Sequence, residues 1–251
     1  DLFQDGKAAV RKAEEAAVAE AQRKAEARKN AIQVLQEAQK KDDIDDILAT
    51  MQQHPGSTGV QEEGCIALGQ VAFNNDANQR TVAEKDGIDA ILVAMQQHPE
   101  SMGVQLQGCM AIGNVACNNE EIRRTIVKKG GIDAIVAAMQ QHPDSSGVQE
   151  EGCKTLVNMA CKIWFYYGFG FRSAKGNDGI RRTIVEKGGI DAILAAMQQH
   201  PDIPGVQQYG CSALAHMSEG QDSTKTIIAE KGGIEAAFHA MTQHSHHEQV
   251  Q

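Results

Sequence analysis

Apolar residues return along this chain at a helical spacing. From Gly87 the sequence reads GIDAILVAMQQH, with Ile88, Ile91, Leu92 and Met95 at i, i+3, i+4 and i+7. From Gly131, GIDAIVAAMQQH puts Ile132, Ile135, Val136 and Met139 in the same places. That spacing gathers four large side chains on one side of an α-helix, and a stripe of this width has to be buried. The pattern belongs to a longer repeat. GIDAILVAMQQHPESMGVQLQGC from Gly87, GIDAIVAAMQQHPDSSGVQEEGC from Gly131 and GIDAILAAMQQHPDIPGVQQYGC from Gly189 are near copies. DIDDILATMQQHPGSTGVQEEGC from Asp43 diverges, and GIEAAFHAMTQH from Gly233 is a shortened fifth copy. The equivalent isoleucines Ile44, Ile88, Ile132, Ile190 and Ile234 are 44, 44, 58 and 44 residues apart, so one unit is 14 residues too long. Alignment of ACNNEEIRRTIVKKGG with the next unit places the excess at residues 163–176.

Each unit reads as three helices. The first is short, as in EEIRRTIVKKG, with Asn119 at the N-cap and Gly130 where a left-handed C-terminal residue belongs. The second carries the stripe and ends after QQH, because Pro55, Pro99, Pro143 and Pro201 lack the amide donor that another turn needs. A third helix follows. Thr58 with Gln61, and Ser146 with Gln149, have the spacing of a capping box, which Met102 and Pro204 break in the other two units. Gly64, Gly108, Gly152 and Gly210 recur in its first turns. A mid-helix glycine costs about 1 kcal/mol against alanine, so its recurrence predicts a helix crossing very close. A unit of this kind cannot bury its apolar face alone, and stacking supplies the core.

Units of this length, with VQEEGCIALGQVA as third helix and EEIRRTIVKKGGIDAIVAAMQ as first and second, resemble armadillo repeats over roughly residues 42–244. The resemblance implies an all-α, right-handed superhelical solenoid of about four three-helix repeats, preceded by a long N-terminal helix. Residues 1–41 are then an N-terminal helical extension. Residues 42–251 are the repeat domain, with boundaries near 86/87, 130/131, 188/189 and 232/233 and an insertion at 163–176. In that family the third helices line a concave groove that binds extended peptides or partner proteins. Peptide-binding members present a Trp there and, one turn later, an Asn that bonds the partner's backbone. Carried over, the Trp positions are Ile66, Met110, Lys154 and Ser212, and the Asn positions are Gln70, Asn114, Asn158 and His216. The absent Trp array argues against a nuclear-import type of function. Glu62, Leu106, Glu150 and Gln208 occupy the preceding turn, so an acidic, amide-bearing groove is expected. The same asparagines could equally serve only neighbouring backbone groups.

Charge points the same way. The total is −9; residues 1–41 hold nine Lys/Arg against seven Asp/Glu, a balance of +2 that leaves −11 for the remainder. A body of that sign excludes broad phosphate-backbone binding and favours a basic protein partner. The longest apolar stretch is the nine residues from Ile163 to Phe171, well short of the roughly 20 a membrane-spanning helix needs. No signal peptide is evident, and a start without Met reads as a fragment or a processed form.

Cys65, Cys109, Cys153 and Cys211 share one repeat position, and Cys117 and Cys161 another. Equivalent positions on packed helices are about 10 Å apart, too far for a disulfide. These are core residues of a reducing, intracellular compartment, the cytoplasm first. The recurrent His54, His98, His142, His200 and His244 are likewise too widely spaced to share a zinc ion. No phosphate loop, CxxC pair, HExxH or GxSxG occurs, so neither an enzyme nor a cofactor is expected.

Two additions remain. GKAAVRKAEEAAVAEAQRKAEARKNAIQVLQEAQKK is made of the best helix formers and reads as one long helix. Its apolar content rises from Ile32 to Leu35, where it can cap the first repeat. Of ten aromatic residues in the chain, six crowd into the insertion: Trp164, Phe165, Tyr166, Tyr167, Phe169 and Phe171, followed by Arg172. An exposed apolar loop of this kind marks an interaction site, for a protein or a membrane face. A fold-back over the groove, or sequence foreign to the working protein, would leave the same trace. The expectation is a non-enzymatic scaffold that holds a partner segment in its groove and uses the loop as a second contact. The alternative is a structural subunit or linker of a large cytoskeletal or membrane-associated complex, contacting through the N-terminal helix and the loop.

Overall fold

The fold was established from a computed structural model, which describes residues 2–161, 178–219 and 222–244, with side chains from residue 11 onward. The inserted segment lies outside the described residues, and so does the structure of its aromatic cluster.

Fourteen helices and no strands occur among the described residues. Helix α1 (Leu2–Lys40) leads into α2 (Ile44–Gln53) and α3 (Thr58–Ala72), the second and third helices of the first unit. Complete triplets follow as α4 (Asp76–Glu84), α5 (Gly87–Gln97) and α6 (Met102–Ala116), then α7 (Glu120–Lys128), α8 (Gly131–Gln141) and α9 (Ser146–Ala160). The next is α10 (Asp178–Glu186), α11 (Gly189–Gln199) and α12 (Pro204–Ser218), and α13 (Asp222–Glu230) and α14 (Gly233–Gln243) close the described chain.

Local sequence fixes these boundaries. Asn119 caps α7 by accepting from the amides of Glu121 and Ile122, and Asn75 caps α4 by accepting from Asn78. The corner before each second helix is left-handed, with φ of 85° at Gly130, 79° at Gly188 and 82° at Gly232. Asp42 and Asp86 hold the same corner at φ 54° and 60°.

The capping-box reading of the third helices is corrected. Their N-caps are Ser57, Ser101, Ser145 and Ile203, one residue earlier, and Ser101 and Ser145 accept the amides of Val104 and Val148. The glutamine therefore has no cap to complete. It turns inward and donates Nε2 to the end of the preceding helix: Gln61 to Met51 and His54 carbonyls (2.8 and 3.0 Å), Gln105 to Met95 and His98 (2.8 and 3.0 Å), Gln149 to Met139 and His142 (2.7 and 2.9 Å), Gln207 to Met197 and His200 (2.8 and 3.0 Å). The physical reason is the proline. Four residues after each methionine stands Pro55, Pro99, Pro143 or Pro201, which has no N–H for that carbonyl, and the glutamine supplies one.

The recurrent glycines are also explained differently from expectation. A β-carbon on Gly64, Gly108, Gly152 or Gly210 would overlap the side chain of Met51, Met95, Met139 or Met197 of the same unit, so a methionine rather than a crossing helix fills the space. Close backbone approach occurs one turn later, where a β-carbon on Gly69 would lie 3.2 Å from Ala111 Cα.

The stripes that open each second helix, including Ile47, Ile91, Ile135 and Ile193, form one continuous core with Leu68, Ile112 and Leu156 of the third helices. Burying one such side chain contributes about 1.5–3 kcal/mol. Third helix stacks on third helix along the row α3, α6, α9 and α12, and α9 packs on α12 across the insertion as α6 packs on α9. The last turns of α1 bury Ala31, Leu35 and Ala38 against α2 and α3, while residues 11–30 are exposed.

Two polar ladders mark the repeat-to-repeat junctions. The ring Nε2 of His98, His142, His200 and His244 donates to the carbonyl of Pro55, Pro99, Pro143 and Pro201 in the unit before, at 2.7–2.8 Å. Lys85, Lys187 and Lys231 reach back to Asp45, Asp133 and Asp191 at 2.5, 2.7 and 2.6 Å, and Lys129 pairs with Asp89. Exposed pairs of this kind contribute little singly. None of the six cysteines is in a disulfide. Burial pushes Cys65 and Cys153 up to about 12, with a smaller contribution from Glu62 and Glu150 respectively.

Candidate functional site

The third helices form the surface on which a binding site would be built. One edge of α3, α6, α9 and α12 faces the core; the other presents Ile66, Met110, Lys154 and Ser212, all half-buried. Side chains of one helix reach over the next. The Glu62 carboxylate lies against Gly103, Leu106 against Gly147 and the Glu150 carboxylate against Gly205. Glycine at 103 and 205 leaves room for the crossing carboxylate, whereas a β-carbon at 147 would only touch Leu106, at 3.6 Å. Arg28 of α1 covers Gly59 in the same manner, Gln36 Nε2 donates to Glu63 at 3.0 Å and Gln39 bonds Gln70. Helix α1 thus takes the place of a third helix at the N-terminal end of the row, which the sequence pattern did not reveal because α1 lacks the Val-Gln-x-x-Gly-Cys signature.

The amide positions are partly engaged. Asn114 Nδ2 donates to the Gly69 carbonyl at 3.1 Å and Asn158 Nδ2 to the Gly113 carbonyl at 3.4 Å. Thr155 Oγ1 donates to the Cys109 carbonyl at 2.8 Å. Two of the expected contact residues therefore bridge adjacent repeats. Asn158 is buried, whereas Gln70 is exposed. The acceptor Oδ1 of Asn158 and the Oε1 of Gln107 are buried without a hydrogen-bond partner among the described residues. A buried acceptor of this kind is costly until a donor reaches it.

Electrostatics centre on α9. Lys154 Nζ lies 3.0 Å from Glu151 Oε1 and 5.8 Å from the centre of the Tyr209 ring on α12. Burial pulls its ammonium down, but Glu151, with Tyr209 and Glu150 adding, outweighs that and holds it above the ordinary lysine range. Glu150 is pushed up by burial and by Glu151, against the pull of Lys154. His216 is held down by burial, with Glu219, 3.6 Å from Nδ1, opposing. The row is thus acidic at Glu62 and Glu63 and again at Glu150 and Glu151, with one cation internally paired. Among the described residues no group of three His, Cys, Asp or Glu could hold a metal ion, and no helix is long and apolar enough to cross a membrane.

A family model of LRRK2 ARM repeats matches residues 10–162, more than half of the chain. The chain belongs to that armadillo family. The match begins within α1 and runs through the first three units. No curated protein matches the sequence. Among solved structures, the armadillo stack is similar to two engineered proteins from a structural genomics consortium. One has a TM-score of 0.70 and 22% identity, the other 0.69 and 21%, each over 90% of this chain and 85% of theirs. It is also similar to a designed armadillo repeat protein solved in complex with the peptide (KR)4, with a TM-score of 0.68 and 17% identity over 89% of this chain and 87% of the other. The architecture is therefore that of an armadillo solenoid.

Proposed function

We propose that this armadillo solenoid is a non-enzymatic scaffold whose row of third helices holds a basic, extended segment of a partner protein. The supporting observation is the acidic pairing along the row, Glu62 with Glu63 and Glu150 with Glu151, set around Ile66, Met110 and Tyr209. Lysine and arginine side chains of an extended chain would meet the carboxylates, and their alkyl stems the apolar positions between them. Gln70, Asn114, Ser212 and His216 complete the contact surface, with Asn158 buried beneath it. The designed neighbour that carries a lysine–arginine peptide supports the same chemistry.

The aromatic insertion, Trp164 to Phe171 with Arg172, serves as a second contact for a protein or a peripheral membrane face. A linker role in a cytoskeletal or membrane-associated assembly is the second reading, favoured by the solvated span of α1. Anisotropy of a labelled eight-residue alternating Lys-Arg peptide tests the groove. Saturable binding that weakens with salt, and that is lost in the Glu62→Gln, Glu63→Gln, Glu150→Gln, Glu151→Gln variant, is expected. Binding indifferent to those four changes overturns it. Loss of native assembly only on Trp164→Ser, Tyr166→Ser, Phe169→Ser supports the linker reading instead.

A further inference from the structure

Two of the third helices bring adjacent carboxylates to the row, and the two pairs are in different states. On α3, Glu62 and Glu63 are followed by Ile66. Among the described residues neither carboxylate is in an ion pair, and Glu63 accepts from the neutral amide of Gln36 at 3.0 Å. Arg28 of α1 lies over Gly59, one turn earlier, without pairing to either. On α9 the repeat has a lysine in place of that isoleucine. Lys154 Nζ lies 3.0 Å from Glu151 Oε1 and 5.8 Å from the centre of the Tyr209 ring on α12. The side chains of Lys154 and Glu151 are 27% and 17% exposed, so this ion pair is sunk into the row. Glu150 feels the same ammonium, which opposes the upward push of burial and of Glu151.

Two carboxylates and an aromatic face from the next helix are what an incoming ammonium needs, for charge-assisted hydrogen bonding and for contact with the ring quadrupole. At α9 the chain supplies that ammonium itself. A carboxylate buried as far as Glu151 is costly without a cation, which is reason enough for Lys154 to stay in place. A partner lysine arriving there would exchange one ion pair for another and leave two ammonium groups side by side. At α3 the same partner would gain an ion pair and displace nothing charged.

We infer that Lys154 decides which cations of a partner the row reads: it fills the α9 pair as an internal substitute and leaves the α3 pair as the open one. This rests on the reading of the row as the holder of a basic segment, and it narrows that reading. Packed helices lie about 8–10 Å apart, so α3 and α9, two steps along the row, are separated by about 16–20 Å. About five or six residues of extended chain cover that distance. The partner therefore presents basic side chains to Glu62 and Glu63 and, about five or six residues away, an uncharged side chain to Lys154.

The test compares two labelled eight-residue peptides by anisotropy on the full chain. One alternates Lys and Arg throughout and is long enough to reach both pairs. The other has Lys-Arg-Lys-Arg followed by Ser-Gly-Ser-Gly and can satisfy one pair. In Lys154→Met the advantage of the fully basic peptide over the half-basic one should grow about fivefold relative to wild type, the effect of one well-placed ion pair. Lys154→Arg should keep the wild-type ratio, and adding Glu150→Gln and Glu151→Gln to Lys154→Met should restore it. Lys187→Met, which removes a cation paired with Asp133 of α8, controls for net charge and should leave the ratio unchanged. Lys154→Met also strips a buried carboxylate of its cation, so its melting temperature should fall, and the fully basic peptide should raise it further than it raises that of wild type. A merely structural lysine would not produce that rescue. Lys154→Gln, which keeps a neutral donor, gives the same comparison should the methionine variant not fold. Wild type that binds the fully basic peptide with an advantage untouched by Lys154→Met overturns the inference and leaves the scaffold reading standing. Binding by Lys154→Met alone upholds the internal substitute and overturns the wild-type row as a holder of basic segments. Binding by neither chain overturns both.

Discussion

The buried glutamine of each third helix makes a sharp prediction. Gln149 is 2% exposed and its Nε2 serves the carbonyls of Met139 and His142 at 2.7 and 2.9 Å. The His142 carbonyl also accepts from the Ser145 amide at 3.1 Å. The Met139 carbonyl has no such second donor in the helix, because residue 143 is proline. Gln149→Met keeps the length and most of the volume while removing the donor. It leaves one buried carbonyl unsatisfied, a loss of about 1–3 kcal/mol, and the methionine's extra apolar burial offsets only part of it. We expect a fall of about 2 kcal/mol in unfolding free energy, read by urea denaturation with far-UV circular dichroism, at unchanged denaturant slope. Gln149→Ala adds a cavity and should cost more. A Gln149→Met variant within about 0.5 kcal/mol of wild type, the ordinary range for a surface change, would show that the proline's missing donor needs no replacement.

Three further outcomes are expected. Glu150 has a raised folded-state pKa, so its stabilising contribution is complete only below the ordinary carboxylate range and is lost as pH rises through the raised value; Glu150→Gln should lift the melting temperature at pH 7 and leave it unchanged near pH 3. Gly130 sits at φ 85°, so Gly130→Ala should cost about 1 kcal/mol in the same urea assay. Deleting residues 163–176 restores the 44-residue step between Ile132 and Ile190, and since α9 already packs on α12 a single cooperative thermal transition close to wild type is expected.

The stack was legible because near-identical units repeat a weak helical signal until it is strong: Ile88, Ile91, Leu92 and Met95 alone fit any amphipathic helix, but their recurrence with a fixed proline stop fits only stacked units. The glutamine's role was misread because Thr58 and Gln61 have cap spacing. The signal that would have identified it is the methionine four residues before the proline, a carbonyl whose donor is missing. The histidine ladder was visible as recurrence but not as bonding, since His142 meets a carbonyl 43 residues away. Contact residues were less legible still. Asn114 and Asn158 follow the family's groove positions, yet the same amide that could hold a partner also reaches the previous repeat, and sequence does not say which use a given N–H serves.

The recurrent thiols, buried at Cys65, Cys109 and Cys153 and half-buried at Cys211, turn the protein into its own gauge. Cys65, Cys109, Cys153 and Cys211 stand one to a unit, and each is raised by burial, so an alkylating reagent meets a poor nucleophile for as long as that unit stays shut. Timed labelling with peptide mass mapping would therefore rank the units by how readily each opens, without an added probe, and would show whether the solenoid frays inward from its α14 end or holds until it melts as one.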